Sequence, residues 1–190
     1  MRNIFEDDLN QKTLPLRSRT SRINRMKKAL KILGILLVGF IGFLFWYDYT
    51  YSIDVIESES YNEESRAKSL LIASQGSAYK NAIVNNIVDE FKPLGIRISV
   101  VDVTKTEDID PDEWDALAII HTIEMWAPQE DAEAFLTEHY DPNKMLVFAT
   151  SGDGTMHMEG IDGMTGASIM EDVNSKSSKL IAEINSIFEL

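Results

Sequence analysis

Residues 32–47 read ILGILLVGFIGFLFWY and carry no charge. Sixteen such residues, extended by Ala29, Leu30 and a Lys31 that can snorkel, are just long enough to cross a bilayer as a helix, which takes about 20 residues. Trp46 and Tyr47 suit the aromatic belt at a membrane surface. A buried core helix would interleave polar positions, and this run does not. A cleaved signal peptide would have a shorter leader and small residues at the cleavage site, whereas residues 45–49 are FWYDY. The sequence therefore predicts an uncleaved transmembrane signal anchor over 29–48. Arg25, Lys27 and Lys28 flank it on the near side; Asp48, Asp54, Glu57 and Glu59 flank it on the far side. The positive-inside rule then predicts residues 1–28 as a basic cytoplasmic tail, with the C-terminal part outside the cytoplasm, periplasmic or at the cell surface. Residues 49–67 are polar and acidic and read as a linker, leaving 68–190 as the folded body.

Charge divides the chain at the same place. Residues 1–50 carry a net +5 and residues 61–190 a net −15, within a total of −13. So acidic a body excludes nucleic acid as its partner, because phosphate binding needs basic surface. It suits a basic protein partner or simple solubility. There is no cysteine, which excludes disulfides, thiolate metal sites and cysteine nucleophiles.

The body alternates strand and helix signals. Residues 70–73 (LLIA) form a short apolar run, and Ile83, Val84, Ile87, Val88 and Phe91 then fall on one helical face. Lys92-Pro93-Leu94-Gly95 punctuates the helix end. Residues 96–103 (IRISVVDV), 116–120 (ALAII) and 145–149 (MLVFA) read as further strands. Pro128 suits the first turn of a helix that turns Ala132, Phe135, Leu136 and His139 inward. A last amphipathic helix spans 170–188. Alternation of this kind implies a parallel sheet with helices on both faces, and ligands of such sheets bind beyond the C-terminal strand ends. Loops 74–78, 121–127 and 150–157 are predicted to converge there.

The first of these loops, Ser74-Gln75-Gly76-Ser77-Ala78, lies between strand and helix. Its amides and hydroxyls can converge on an anion, or its serines can simply cap the helix. His121, His157, Glu124 and Asp153 fall on the same end of the sheet. Those donors suit a divalent ion, but no H-x-x-x-H or comparable spacing occurs, so no metal site is expected. His121 and Glu124 also suit acid–base work, yet no G-x-S-x-G elbow accompanies them, and Thr150-Ser151-Gly152 lacks its first glycine.

Over residues 68–190 the order of elements, the hydroxyl-rich first loop, the aromatic second loop and the glycine-rich loop after the fourth strand resemble the flavodoxin family. The QGS, EMW, TSGDG and IDxxTxAS segments are similar to those of small flavodoxin-like proteins. The resemblance implies a three-layer α/β fold with a parallel sheet of four strands in the order 2-1-3-4, a fifth strand being vestigial or absent. It also implies FMN as cofactor, electron transfer outside the cytoplasm and a protein redox partner. The phosphate would sit on Ser74, Gln75, Gly76, Ser77 and Ala78, with Trp126 stacking on the flavin ring and Ser151, Gly152, Asp153 and Gly154 along its other edge. The family pattern S/T-x-T-G-x-T is altered here: Gly76 and Ser77 stand where Thr and Gly are expected, and Tyr79 replaces the last Thr. That alteration motivates the alternative, a flavin-free protein-interaction module at the membrane. Asp162 to Ser168 (DGMTGAS) resembles the D-x-x-[ST]-G-A-T motif of covalent flavin attachment, with Ser168 in place of the acceptor threonine. Ser168 and Glu171 also form a capping box for the last helix, which is the favoured reading of that segment.

Overall fold

The computed structural model describes residues 18–51 and 54–190, with side chains at 23–46 and 55–190. Most of the basic tail, and the side chains of Tyr47, Asp48 and Asp54, lie outside the described residues. The chain forms two units, 1–52 and 53–190.

In the first unit, helix α1 (Ser18–Tyr51) contains a candidate span, Ile23–Trp46, whose most apolar 18 residues have a mean hydropathy of 2.3. Its 24 residues rise about 36 Å at 1.5 Å per residue, against about 30 Å of bilayer hydrocarbon. Among the described residues it is the one helix long and apolar enough to cross a membrane.

The second unit is an α/β body whose centre is strand β3 (Ser69–Gly76), buried at every position. Two short strands precede it, β1 (Asp54–Val55) and β2 (Glu59–Tyr61). The remaining strands are β4 (Arg97–Asp102), β5 (Ala116–Glu124), β6 (Ala127–Pro128), β7 (Met145–Thr150) and β8 (Met164–Gly166). The sheet runs β2-β4-β3-β5-β7-β8, with β4, β3, β5, β7 and β8 parallel and β2 antiparallel at the edge. β1 pairs with the C-terminal end of β3, and β6 folds back on β5.

Side-chain alternation sorts the sheet into two cores, as the pleat requires. Leu70, Ile72, Ala118, Ile120 and Phe148 face helices α2 (Ala78–Phe91) and α4 (Val173–Phe188). Leu71, Ala73, Leu117, Ile119 and Val147 face helix α3 (Glu130–His139) and Val103 of the 3-10 turn Val103–Asp108. Burial on both faces is why these strands read as continuous apolar runs. The end of α2 follows its sequence signals: a 3-10 turn, Lys92–Leu94, hands the chain to Gly95 at φ 75°, whose N–H donates to Lys92 O.

Four segments differ from expectation. Residues 121–128, expected as a loop ending in a helical Pro128, form the end of β5 and the strand β6, and α3 starts only at Glu130. Residues 54–61, expected within the linker, pair with β3 and β4 instead. Residues 74–76, expected in a loop, continue β3, because β1 supplies backbone partners for Gln75 and Gly76. The last helix begins at Val173, after a separate 3-10 turn, Met170–Asp172, that has no side-chain cap. Ser168 is exposed and caps neither, so the capping box does not form.

Gly154 fixes where the loop after β7 lies. Its φ is 72°, and a Cβ there would sit 2.5 Å from Ala167 N and 2.8 Å from Gly166 C, both backbone atoms. Gly154→Ala is expected to destabilise the body by about 2–4 kcal/mol, from left-handed strain plus overpacking. Urea unfolding checks this: the midpoint falls with an unchanged slope. An unchanged midpoint would mean the loop does not press on residues 166–167.

Candidate functional site

The first predicted loop is almost entirely structural. Ser74 is fully buried, and its hydroxyl donates to Gln75 O at 3.0 Å. Gly76 sits opposite Asp54 on β1. Only Ser77 separates strand from helix; its Oγ accepts from Lys80 N at 3.1 Å, which makes it the N-cap of α2, and Ala78 is the first helical residue. Of the two readings open to this loop, the cap is the one formed.

The strand-end crevice is filled by side chains of the protein itself. Gln75 Oε1 accepts from Thr122 N at 2.6 Å, tying β3 to β5 beyond the last paired residues, Ser74 and Ile120. From the α2 side, the buried Lys80 ammonium donates to Thr122 Oγ1, which in turn lies 3.2 Å from Thr150 Oγ1 on β7. No carboxylate lies within ion-pair distance of Lys80 among the described residues. Burial therefore lowers its pKa to about 8, against a smaller opposing pull from Glu124.

His121 occupies the opposite face of β5. It is fully buried; Nδ1 lies 3.3 Å from Thr122 O, and Nε2 has no partner. Burial holds it down at about pKa 4; the contact with the Thr122 carbonyl opposes this and the Lys80 charge adds to it. His121 and His157 line a small pocket of about 10 Å³ with Met158 and Ile161. Such a space takes one water at most. Glu124 is exposed on the hairpin, so His121 and Glu124 are not assembled as an acid–base pair. Among the described residues no three His, Asp or Glu side chains gather to hold a metal ion.

The loop after β7 also satisfies itself. Ser151 Oγ accepts from Gly154 N at 3.0 Å and Met156 N at 3.4 Å, and it donates to Asp153 Oδ1 at 3.1 Å. Asp153 Oδ1 further accepts from Thr155 N, and these bonds hold its carboxyl below the ordinary range. Gly152 has open space around its Cα.

The second loop is unlike the other two. β5 runs on past its neighbours and turns through Met125 and Trp126 into β6, with Ile123 opposite Pro128 and Glu124 opposite Ala127. Met125 has φ 48° and Trp126 φ 71°, the pair of positive values of a type I′ turn. That turn favours Asn-Gly; a bulky residue in the left-handed region costs about 1–2 kcal/mol. Met125 is nonetheless 93% exposed and Trp126 87% exposed. The hairpin base, not its tip, borders an open cavity of about 270 Å³ lined by Gln75, Thr122, Glu124, Ala127, Pro128 and Gln129.

No protein-family model matches the chain, and no curated protein matches it significantly.

Lys80 and the turn each generate a test. Because the folded pKa of Lys80 lies below its ordinary 10.5, the unfolded chain holds more protons between about pH 8 and 10.5, and stability rises with pH across that window. Lys80→Met removes the penalty and is expected to be more stable than the parent by up to about 3 kcal/mol at pH 7, the gap closing above pH 8. Urea unfolding at several pH values measures it, and a pH-independent gap would contradict the assignment. Met125→Asn with Trp126→Gly is expected to stabilise the body by about 1 kcal/mol, raising Tm by about 3–5 °C. A fall in Tm would show that the pair packs in the fold.

Proposed function

We propose that the protein is a membrane-tethered interaction module: a flavodoxin-like body, free of flavin, held by a single span with residues 1–28 in the cytoplasm and the body outside it. Support for the flavodoxin-like reading comes from the parallel order β4-β3-β5-β7-β8, in which the second strand lies beside the first and the third lies on its other side. The anchor reading rests on the uncharged run 32–47 within the span Ile23–Trp46 and on the charges to either side of that run, basic at Arg25, Lys27 and Lys28 and acidic beyond residue 47.

The observation that carries the flavin-free reading is the occupied crevice. An FMN phosphate needs free amides and hydroxyls at the first loop. Here the Gln75 and Gly76 backbone is paired to β1, the Ser77 hydroxyl caps α2, and the Gln75 and Lys80 side chains close on Thr122. The amides of Gly154, Thr155 and Met156 are bonded within their own loop. Trp126 projects from a turn tip into solvent and borders no part of the cavity that Gln75 lines. These residues do not fit FMN. What the body offers is an exposed apolar pair on a hairpin tip, the form of a recognition element.

The test is purification after flavin-rich expression, followed by titration with FMN. The expected result is a colourless protein that leaves FMN fluorescence unquenched. A flavin absorbance band at one equivalent, or stoichiometric quenching, overturns the reading.

A further inference from the structure

We infer that the Met125–Trp126 tip is the anchor that seats this protein in an apolar socket, rimmed by lysine and arginine, on a different protein. The inference rests on the interaction-module reading above and assigns its contact point and the chemistry of its partner. The two side chains are 93% and 87% exposed, and the hairpin that carries them reaches beyond the pairing of β3 and β7 with β5. Both backbones sit in the left-handed region, which neither residue type favours, so the turn is shaped to present them rather than to close a loop easily. Aromatic and Met side chains at the centre of a contact, with a polar rim, carry most of the affinity in protein interfaces.

The rim decides the partner. Residues 116–137, which include the hairpin and the first turns of the helix after it, hold Glu124, Glu130, Asp131 and Glu133 and no Lys or Arg. Glu124 is exposed beside the tip, and Glu130 and Glu133 are exposed on the first turn of α3 just after it. Glu107 and Asp108, exposed on the turn that packs against α3, add acidic surface there, while Lys105, exposed on the same turn, donates to Ser58 Oγ. Like charges facing one another oppose a second copy of this chain. The same acids oppose insertion into an anionic leaflet, although Trp and Met alone would suit a lipid interface. A basic rim around an apolar socket satisfies both features at once.

The experiment uses the full chain in phosphatidylcholine nanodiscs, with a benzophenone amino acid replacing the exposed Ala127, irradiated with an amphipathic peptide of leucine and lysine or with its leucine–glutamate counterpart. The leucine–lysine peptide is expected to give about tenfold more adduct. The adduct is expected to fall about tenfold in Met125→Asn/Trp126→Gly, and several-fold in Glu124→Lys/Glu130→Lys or at high salt. Equal labelling by both peptides, adduct to lipid or to a second copy in preference to peptide, or full labelling of the Met125→Asn/Trp126→Gly variant overturns the inference. FMN titration of the same sample separates the two failures: flavin binding with peptide labelling intact defeats only the flavin-free reading, and lost labelling without flavin binding defeats only the docking site.

Discussion

At the C-terminal end of the sheet, everything turns on how β5 is held at Thr122. Its backbone N–H is taken by the Gln75 side chain from β3, and its hydroxyl is taken by Lys80 from α2 and by Thr150 from β7. Three strands and a helix are thereby tied at one residue, just beyond the last backbone pairing between β3 and β5. A buried ammonium bonded to a hydroxyl, without a carboxylate partner, is an expensive tie. It is sustained by the two apolar cores on either side of the sheet, which fix β3, β5 and β7 whatever happens at their ends.

That tie determines what the end of the sheet can do. In an open parallel sheet the crevice beyond the strand ends is the usual ligand site. Here β1 lies along the end of β3, Ser77 is used as a helix cap, and the Ser151 hydroxyl organises its own loop. The exposed apolar surface at this end of the sheet is the hairpin, which grows out of the strand held by the tie. A firmly held base beneath an exposed Met–Trp pair lowers the entropy lost when a partner closes on it.

Much of this was legible in the sequence. The strands at 70–73, 116–120 and 145–149 announced themselves because burial on both faces leaves no polar interruption, 96–103 by its β-branched residues, and 32–47 by its unbroken apolar length. Ser74-Gln75-Gly76 carried turn chemistry; Ser74 pairs with Asp102 and Ile120, and pairing with Val55 and Asp54, some twenty residues upstream, keeps Gln75 and Gly76 in the strand. The hairpin was hidden because Met-Trp is the wrong chemistry for its turn, so β5 was read as ending at 120 instead of Glu124. The capping box at Ser168 had the right letters, but residues 170–172 wind as a 3-10 turn and the helix starts at Val173. Position along the sequence located Trp126 at the strand ends, while its exposure depends on the turn. For Gln75 and Gly76 a local signal was outweighed by a contact distant in sequence; at Met125–Trp126 and at 170–172 the chain adopts a local turn that its residue types do not announce.

The measurement that reaches the central claim most directly is amide hydrogen exchange at Gln75, Gly76 and Thr122, with and without excess FMN. A crevice already closed by the protein predicts slow exchange at all three amides and no change when FMN is added. Fast exchange in the free protein that slows with FMN would contradict it, and would return the strand ends to a cofactor.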